Sequence, residues 1–146
     1  MGLNWNINGL ITDRWRVSLG YSYIDAKILA DGVSFTKNTA LLNVPRNNFS
    51  FLTNYEFLRQ GGQVAGLGGG IVYVDSRPGN QTDPSFELPS YTTVQLRAYY
   101  QPLPGLEASM QVHNLFEERY YRSSYFQYWV APGAPRTVTA QLKYNF

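Results

Sequence analysis

Apolar and polar residues alternate along most of this chain, and this period of two is the feature that most constrains its fold. In the last segment, every second residue from Val138 to Phe146 is apolar, and the residues between them are polar. Six further segments alternate in the same way: residues 3–8, 15–23, 48–57, 65–75, 94–100 and 106–112. Successive side chains of a strand point to opposite faces. The pattern therefore predicts an all-β fold of seven strands, each with one apolar and one polar face.

The connections between these segments alternate in length. Short, turn-like joins occur at residues 12–13, 59–62 and 102–105, and longer segments lie between them at residues 29–46, 76–89 and 117–136. Short periplasmic turns and long extracellular loops give outer-membrane barrels this rhythm, whereas a soluble sandwich has no reason to show it. We therefore predict an antiparallel transmembrane β-barrel sector of about seven strands.

The composition supports strands with a lipid-facing and a wet side. Aromatic residues are abundant (12 Tyr, 8 Phe and 3 Trp), yet the mean hydropathy is −0.30. A net charge of +2 without any run of Lys or Arg predicts no binding to nucleic acid. No apolar stretch approaches the roughly 20 residues of a membrane-spanning helix, and the first residues lack a signal-peptide pattern. A membrane location would have to rest on strands.

The strand count indicates a piece of something larger. Seven antiparallel strands begin and end on opposite sides, so their first and last members cannot pair antiparallel to close a ring. Bacterial single-chain barrels have even strand numbers. We therefore expect further strands ahead of residue 1.

Three segments carry a family resemblance. Residues 114–120 (Asn-Leu-Phe-Glu-Glu-Arg-Tyr) resemble the element that ends the penultimate strand of TonB-dependent receptors. Residues 88–97 resemble a strand of the same family that opens with Pro-x-Tyr, with Gln95 in place of the usual Asp, and residues 132–137 resemble its Pro-Gly-x-Pro-Arg entry to the last strand. The likeness covers residues 88–146 and is closest to the siderophore receptors. Residues 3–75 match in pattern only.

The resemblance implies the fold and function of the whole receptor. It implies that residues 1–146 are the C-terminal portion of a 22-stranded barrel domain, without the plug domain or the signal peptide. The implied function is uptake of a ferric siderophore across the outer membrane of a Gram-negative-type bacterium, without enzyme activity or a directly bound cofactor. The implied partners are outer-membrane lipid, the plug, TonB, and the barrel-insertion machinery, which would recognise the terminal aromatic signature at Phe146.

Two sets of candidate site residues follow. Aromatic and basic residues in the last long loop suit a flat, aromatic or anionic chelate, although they could instead pack the loop against its neighbours. These candidates are Arg119, Arg122, Tyr125, Phe126, Tyr128 and Trp129. The second set is predicted to face the lumen and the plug: Arg16, Glu56, Arg97, Glu107, Gln111 and Lys143. Tyr91 is assigned to an outer aromatic girdle facing lipid, together with Tyr21, Tyr23 and Tyr73.

Other functions would need residues that the sequence lacks. The glycine-rich run at residues 66–70 lacks the third glycine and the helix of a dinucleotide motif. Its glycines are instead expected to leave room for close backbone approach, as in a packed plug or a tight barrel wall. His113 is the only histidine and the chain has no Cys, so no metal or catalytic residue is predicted. A small stand-alone barrel would need an eighth strand or an oligomer. A lipid-splitting barrel enzyme would need an activated serine beside His113.

Overall fold

The computed structural model describes residues 1–29, 39–83 and 85–145, and all of its regular elements are strands. In chain order they are β1 (Gly2–Thr12), β2 (Trp15–Ile24), β3 (Asn47–Gln60), β4 (Gln63–Val74), β5 (Arg77–Pro78), β6 (Glu87–Leu88), β7 (Tyr91–Leu103), β8 (Leu106–His113), β9 (Tyr121–Phe126), β10 (Trp129–Pro132) and β11 (Thr137–Tyr144). The described residues contain no helix that is long and apolar enough to cross a membrane.

Seven strands form one antiparallel sheet, which confirms the predicted number and arrangement. The order across the sheet is β1-β2-β3-β4-β7-β8-β11, so each strand pairs with its neighbours along the meander. Strands β1 and β11 form the two edges and do not pair with each other among the described residues. Two small hairpins, β5–β6 and β9–β10, stand apart from the sheet inside the long connections, and the sequence did not predict them.

The tight turns lie together at one end of the sheet, opposite the long connections. Gly61 and Gly62 join β3 to β4 with φ angles of 60° and 81°, in the left-handed region that glycine adopts without strain. Gly105 joins β7 to β8 at a φ of 90°, and a Cβ there would lie 2.6 Å from the backbone oxygen of Asn145. Glycine at this turn therefore allows the last strand to pass close by.

The two faces of the sheet differ as the alternation predicted. Cross-strand pairs such as Trp5 with Tyr21, Tyr21 with Phe49, and Phe49 with Tyr73 continue one apolar face from strand to strand. Many of its side chains are exposed, with Trp5 at 59% and Leu142 at 72%. Only Ala65 and Leu88 are buried apolar residues among those described. An apolar face of this extent needs a non-aqueous neighbour.

The structure corrects the prediction for Tyr91. This residue pairs with Val74, on the face opposite to that of Val94 and Ile71. Side chains at odd and even positions of a strand point to opposite faces, so Tyr91 shares the polar face with Arg97. It is therefore not part of a lipid-facing girdle with Tyr73.

The space above the β4 glycines is already filled from within the sheet. A Cβ on Gly66 would collide with the ring of Tyr99, and one on Gly70 would lie 2.5 Å from the Leu52 side chain. The Tyr99 hydroxyl is held in place by the Asn54 side-chain amide, which donates to it at 2.9 Å. The glycines thus admit neighbouring side chains of the same sheet, which agrees with the expectation of a tight barrel wall, and contact with a plug stays a prediction.

Candidate functional site

The six residues predicted to face the lumen all lie on the polar face of the sheet. Strand pairing places them there through Arg16 opposite Asn54, Glu56 opposite Gly66, Arg97 opposite Gln111, and Lys143 opposite Glu107. Arg97 donates to Glu107 at 2.8 Å, so these two charges neutralise each other across β7 and β8. The structure thus groups the set on one wall, and their contact with a plug remains a prediction.

A β-bulge brings a further charge onto this wall. The register of β3 against β4 shifts between Glu56 and Leu58, which adds one residue to β3. Because of this extra residue, Arg59 lies on the same face as Glu56, and its guanidinium forms an ion pair with that carboxylate. The sequence pattern alone placed Glu56 without this partner.

The long connections are fastened to one another by side chains. The Asn43 amide donates to the backbone oxygen of Ser124 at 2.7 Å, and its oxygen accepts from the backbone N–H of Ser124 at 2.8 Å. The buried Ser124 hydroxyl in turn donates to the backbone oxygen of Gly79. Residues 43, 79 and 124 belong to three different connections, so these bonds join all three.

Arg77 forms a second fastening. It is only 3% exposed, and its Nη2 donates to the backbone oxygens of Tyr121 at 2.5 Å and Arg122 at 3.0 Å. Its guanidinium carbon lies 5.6 Å from the centre of the Tyr91 ring, which stacks on Tyr120 with centroids 4.2 Å apart. Hydrogen bonds therefore tie the β5–β6 hairpin to the base of β9, and a cation–π contact ties it to the start of β7.

Asn114 joins two of the segments that carried the family resemblance. It is 5% exposed and has a φ of 50°. Its amide donates to the backbone oxygens of Glu118 at 2.9 Å and Ala134 at 3.0 Å, and its oxygen accepts from the N–H of Glu118 at 2.9 Å. Arg136 donates to Glu117 at 3.2 Å across the same gap. The end of β8 is thereby bound to the entry of β11.

The predicted ligand-binding residues divide into two groups. Phe126 makes edge contacts with Tyr125, Tyr128 and Trp129, at centroid distances of 5.6, 6.5 and 6.3 Å. This cluster forms the tip of the β9–β10 hairpin and is well exposed at Tyr125 (71%), Tyr128 (86%) and Trp129 (68%). Arg119 and Arg122 are also exposed but lie toward the base of the hairpin. The structure thus brings four of the six together, and ligand contact remains a prediction.

Asp75 lies just beyond the end of β4 and accepts hydrogen bonds from three groups: the Asn47 amide at 2.6 Å, the N–H of Ser76 at 3.0 Å and the Tyr73 hydroxyl at 3.2 Å. The Asn47 bond is the main reason that the pKa of this carboxyl is lowered, although burial opposes the shift. A depressed pKa stabilises the folded state at pH values above the ordinary carboxyl pKa. That stability is lost as the pH falls through the lowered pKa.

We therefore expect Asp75→Asn to flatten the acid dependence of stability. The free energy of unfolding of the full-length receptor would be measured between about pH 6 and pH 2, which spans the ordinary carboxyl pKa. The wild type should lose more stability than Asp75→Asn over this range. Asp13→Asn, at a turn on the opposite end, serves as the control and should follow the wild type. Equal acid dependence in wild type and Asp75→Asn would contradict this role.

Sequence reasoning missed Asn43, Arg77 and Asn114 as the residues that fix the long connections. Asn114 is part of the motif at residues 114–120, but that motif indicated a family and did not predict which residues Asn114 contacts. Arg77 carried no signal, because a single Arg beside Pro78 in a long connection is typical of an exposed loop. Contacts between residues 45 to 81 positions apart are set by the fold.

Comparison with known proteins agrees with this architecture. Residues 1–115 match the family model described as "TonB dependent receptor-like, beta-barrel". The metal-pseudopaline receptor CntO of Pseudomonas aeruginosa is 39% identical over 145 residues, which cover 99% of this chain and 20% of that protein. The ferric-pyoverdine BN7/BN8 receptor of Pseudomonas putida is 32% identical over 147 residues, 99% of this chain and 17% of that protein.

A solved structure shows the same fold. The crystal structure of the siderophore receptor PiuA from Acinetobacter baumannii superposes with a TM-score of 0.83 at 25% identity, over 98% of this chain and 21% of that one. The chain therefore spans about a fifth of the length of its relatives. The family match also includes residues 3–75, where the sequence showed only a pattern.

These matches confirm the predicted family, fold class and location. The relatives are receptors, and TonB-dependent receptors are outer-membrane proteins of Gram-negative bacteria. The seven-stranded sheet corresponds to one sector of their barrel. The chain belongs to the TonB-dependent receptor family, within its β-barrel domain.

Proposed function

We propose that residues 1–146 form the C-terminal portion of the barrel of a receptor that takes up a ferric siderophore across the outer membrane. The carrying observation is the exposed aromatic cluster at the tip of the β9–β10 hairpin, at the end of the sheet where the long connections meet. Rings exposed to water in this way are typical of binding surfaces. The cluster offers a flat, apolar contact for a chelate that approaches from outside.

The charge around the hairpin supports an anionic chelate. Arg119 and Arg122 are exposed, and neither forms an ion pair among the described residues. Two guanidinium groups without an ion pair toward the base of the hairpin would attract a negatively charged chelate and steer it to the hairpin. Because CntO, at 39% identity, is named for metal–pseudopaline, chelates of metals other than iron belong in the assays.

We also propose several partners for the full receptor. The apolar face of the sheet would contact outer-membrane lipid, and the polar face, with Arg16, Arg97 and Lys143, would meet the plug that TonB energises. Recognition of Phe146 by the barrel-insertion machinery stays a prediction, since that residue lies outside the described part of the chain. We further propose that the receptor transports its ligand without enzymatic conversion and holds no cofactor of its own.

The alternative of a small stand-alone barrel gains no support from the sheet. Such a barrel requires its first and last strands to pair, or an oligomer that completes the ring, because an open edge cannot persist in lipid. Strands β1 and β11 are instead separated by the whole width of the sheet within the described residues.

Replacing both Tyr125 and Trp129 with alanine tests the proposed binding role of the hairpin. We expect the double variant of the full-length receptor to bind ferric pyoverdine or metal-loaded pseudopaline at least about tenfold more weakly than the wild type, since each ring contributes on the order of 1 kcal/mol. Phe116→Ala is the matched control, because Phe116 is 75% exposed but lies outside the hairpin. Unchanged affinity in the double variant, with a wild type that binds, would remove the hairpin from the site.

A further inference from the structure

A second candidate site lies on the polar face, below the β9–β10 hairpin. It is a cavity of about 310 Å³ where the outer ends of β7, β8 and β11 meet the connection that follows β8. Its polar lining comes from Thr93, Gln95, His113, Asn114, Tyr120 and Thr137, and the wall is completed by Val72, Val94, Ala134 and Pro135. This size and mixture, apolar with a few polar groups, is that of a small-ligand pocket.

The roof of this cavity is held in one position. The Tyr120 ring stacks on Tyr91. It also lies so close to Gly133 that a Cβ there would collide with it, so Tyr120 is packed between these two residues. Asn114 binds the backbone oxygens of Glu118 and Ala134, which fixes both lips of the roof. A pocket with fixed walls loses little entropy when a ligand enters.

The side chains in the cavity are free to bind. Among the described residues, the side chains of Thr93, Gln95 and His113 make no hydrogen bond. They offer an amide, an imidazole and a hydroxyl, which can each donate or accept. No residue of the lining carries a fixed charge. Arg97 on the same face is paired with Glu107, and Arg136, which lies between the lining residues Pro135 and Thr137 in the chain, is paired with Glu117. A carboxylate entering here would meet no cation in the lining itself.

We propose that this cavity binds an uncharged, planar arm of the transported chelate, such as an amide-bearing or phenol-type ring. The inference rests on the proposed function and assigns two parts of the chelate to two different parts of the receptor. The hairpin above, with Arg119 and Arg122, attracts the charged part of the chelate, and the neutral cavity selects the arm. Thr93, Gln95 and His113 are then specificity-determining residues.

A pair of probes of the same shape tests the cavity without knowledge of the chelate. Binding of 4-fluorobenzamide and 4-fluorobenzoate to the purified full-length receptor is followed by fluorine NMR line broadening. Thr93→Trp fills the cavity. The control, Thr139→Trp, places an equally large side chain on the polar face of the sheet, on β11 and outside the cavity. The amide should bind to the wild type and to Thr139→Trp but not to Thr93→Trp. The benzoate should bind about tenfold more weakly than the amide, because its charge would be desolvated without a partner.

Other outcomes separate the cavity from the proposed function. Equal binding of the amide to Thr93→Trp and wild type, or benzoate binding as well as the amide, would overturn the proposal. Should Thr93→Trp fail to show the heat-modifiable migration of a folded barrel, His113→Phe replaces it. That variant keeps an aromatic ring, removes both nitrogens and should weaken amide binding by about tenfold. Normal amide binding by a receptor that takes up no chelate would remove the proposed function and leave the cavity in place.

Discussion

Replacing Asn114 with alanine is expected to lower the free energy of unfolding of the full-length receptor by about 3 kcal/mol. The substitution removes three hydrogen bonds at a site that is 5% exposed, and a buried polar group left without its partner costs roughly 1–3 kcal/mol. It also places alanine at a φ of 50°, which Asn tolerates better. The last strand should lose its anchor, and less folded receptor should reach the outer membrane.

Urea-induced unfolding in lipid vesicles measures this effect. Asn48→Ala is the matched control. Among the described residues, the Asn48 side chain makes a single long hydrogen bond of 3.4 Å, so its loss should lower the free energy of unfolding by less than about 1 kcal/mol. Asn114→Gly separates the two causes, since glycine relieves the backbone strain but cannot restore the bonds. If Asn114→Ala were as stable as Asn48→Ala, the clamp between the end of β8 and the entry of β11 would contribute nothing.

Replacing Arg77 with methionine is expected to release the β9–β10 hairpin from its neighbours. The change removes the bonds from Nη2 to the backbone oxygens of Tyr121 and Arg122, each on the order of 1.5–3 kcal/mol because the donor is charged. Part of this loss is offset, since Arg77 is buried and its Nη1 has no hydrogen-bond partner among the described residues. A net local cost of about 2 kcal/mol remains.

Hydrogen exchange at the amides of β9 and β10 detects the release. A loss of about 2 kcal/mol in local stability should speed their exchange by roughly thirtyfold, without a matching change in β2 or β3. Arg77→Lys keeps the charge, but its shorter side chain ends before the position of Nη2 and lacks the planar group that lies over the Tyr91 ring, so it should exchange nearly as fast. Exchange rates like those of the wild type in both variants would show that other bonds, such as those of Asn43 with Ser124, suffice to hold the hairpin.

The sheet could be predicted from the sequence because its strands obey a local rule. Alternation from Val138 onward, and the same pattern in six earlier segments, requires only that one face is apolar and the other polar. Strand pairing then carried Glu56, Arg97 and Lys143 to the same face, as the pattern predicted. The misplaced Tyr91 shows the limit of reading residues singly, since counting from Val94 along the strand gives its correct face.

The arrangement of the long connections could not be predicted, because it depends on contacts between distant residues. The β5–β6 hairpin has strands of two residues, and β9–β10 has two register shifts, so neither shows a period of two. The bonds of Asn43 with Ser124 join residues 81 positions apart. The filled space above Gly66 likewise depends on the register that brings Tyr99 opposite it.

The placement of lipid on one face of the sheet and water on the other is tested most directly by the environment of the two faces of β11 in the full-length receptor. Spin labels on single cysteines at Ala140, Gln141, Leu142 and Lys143 report access to oxygen, which concentrates in lipid, and to a water-soluble nickel complex. We expect high oxygen access at Ala140 and Leu142 and high nickel access at Gln141 and Lys143. Uniform access at all four positions, or the opposite alternation, would contradict a barrel wall with lipid on one side and water on the other.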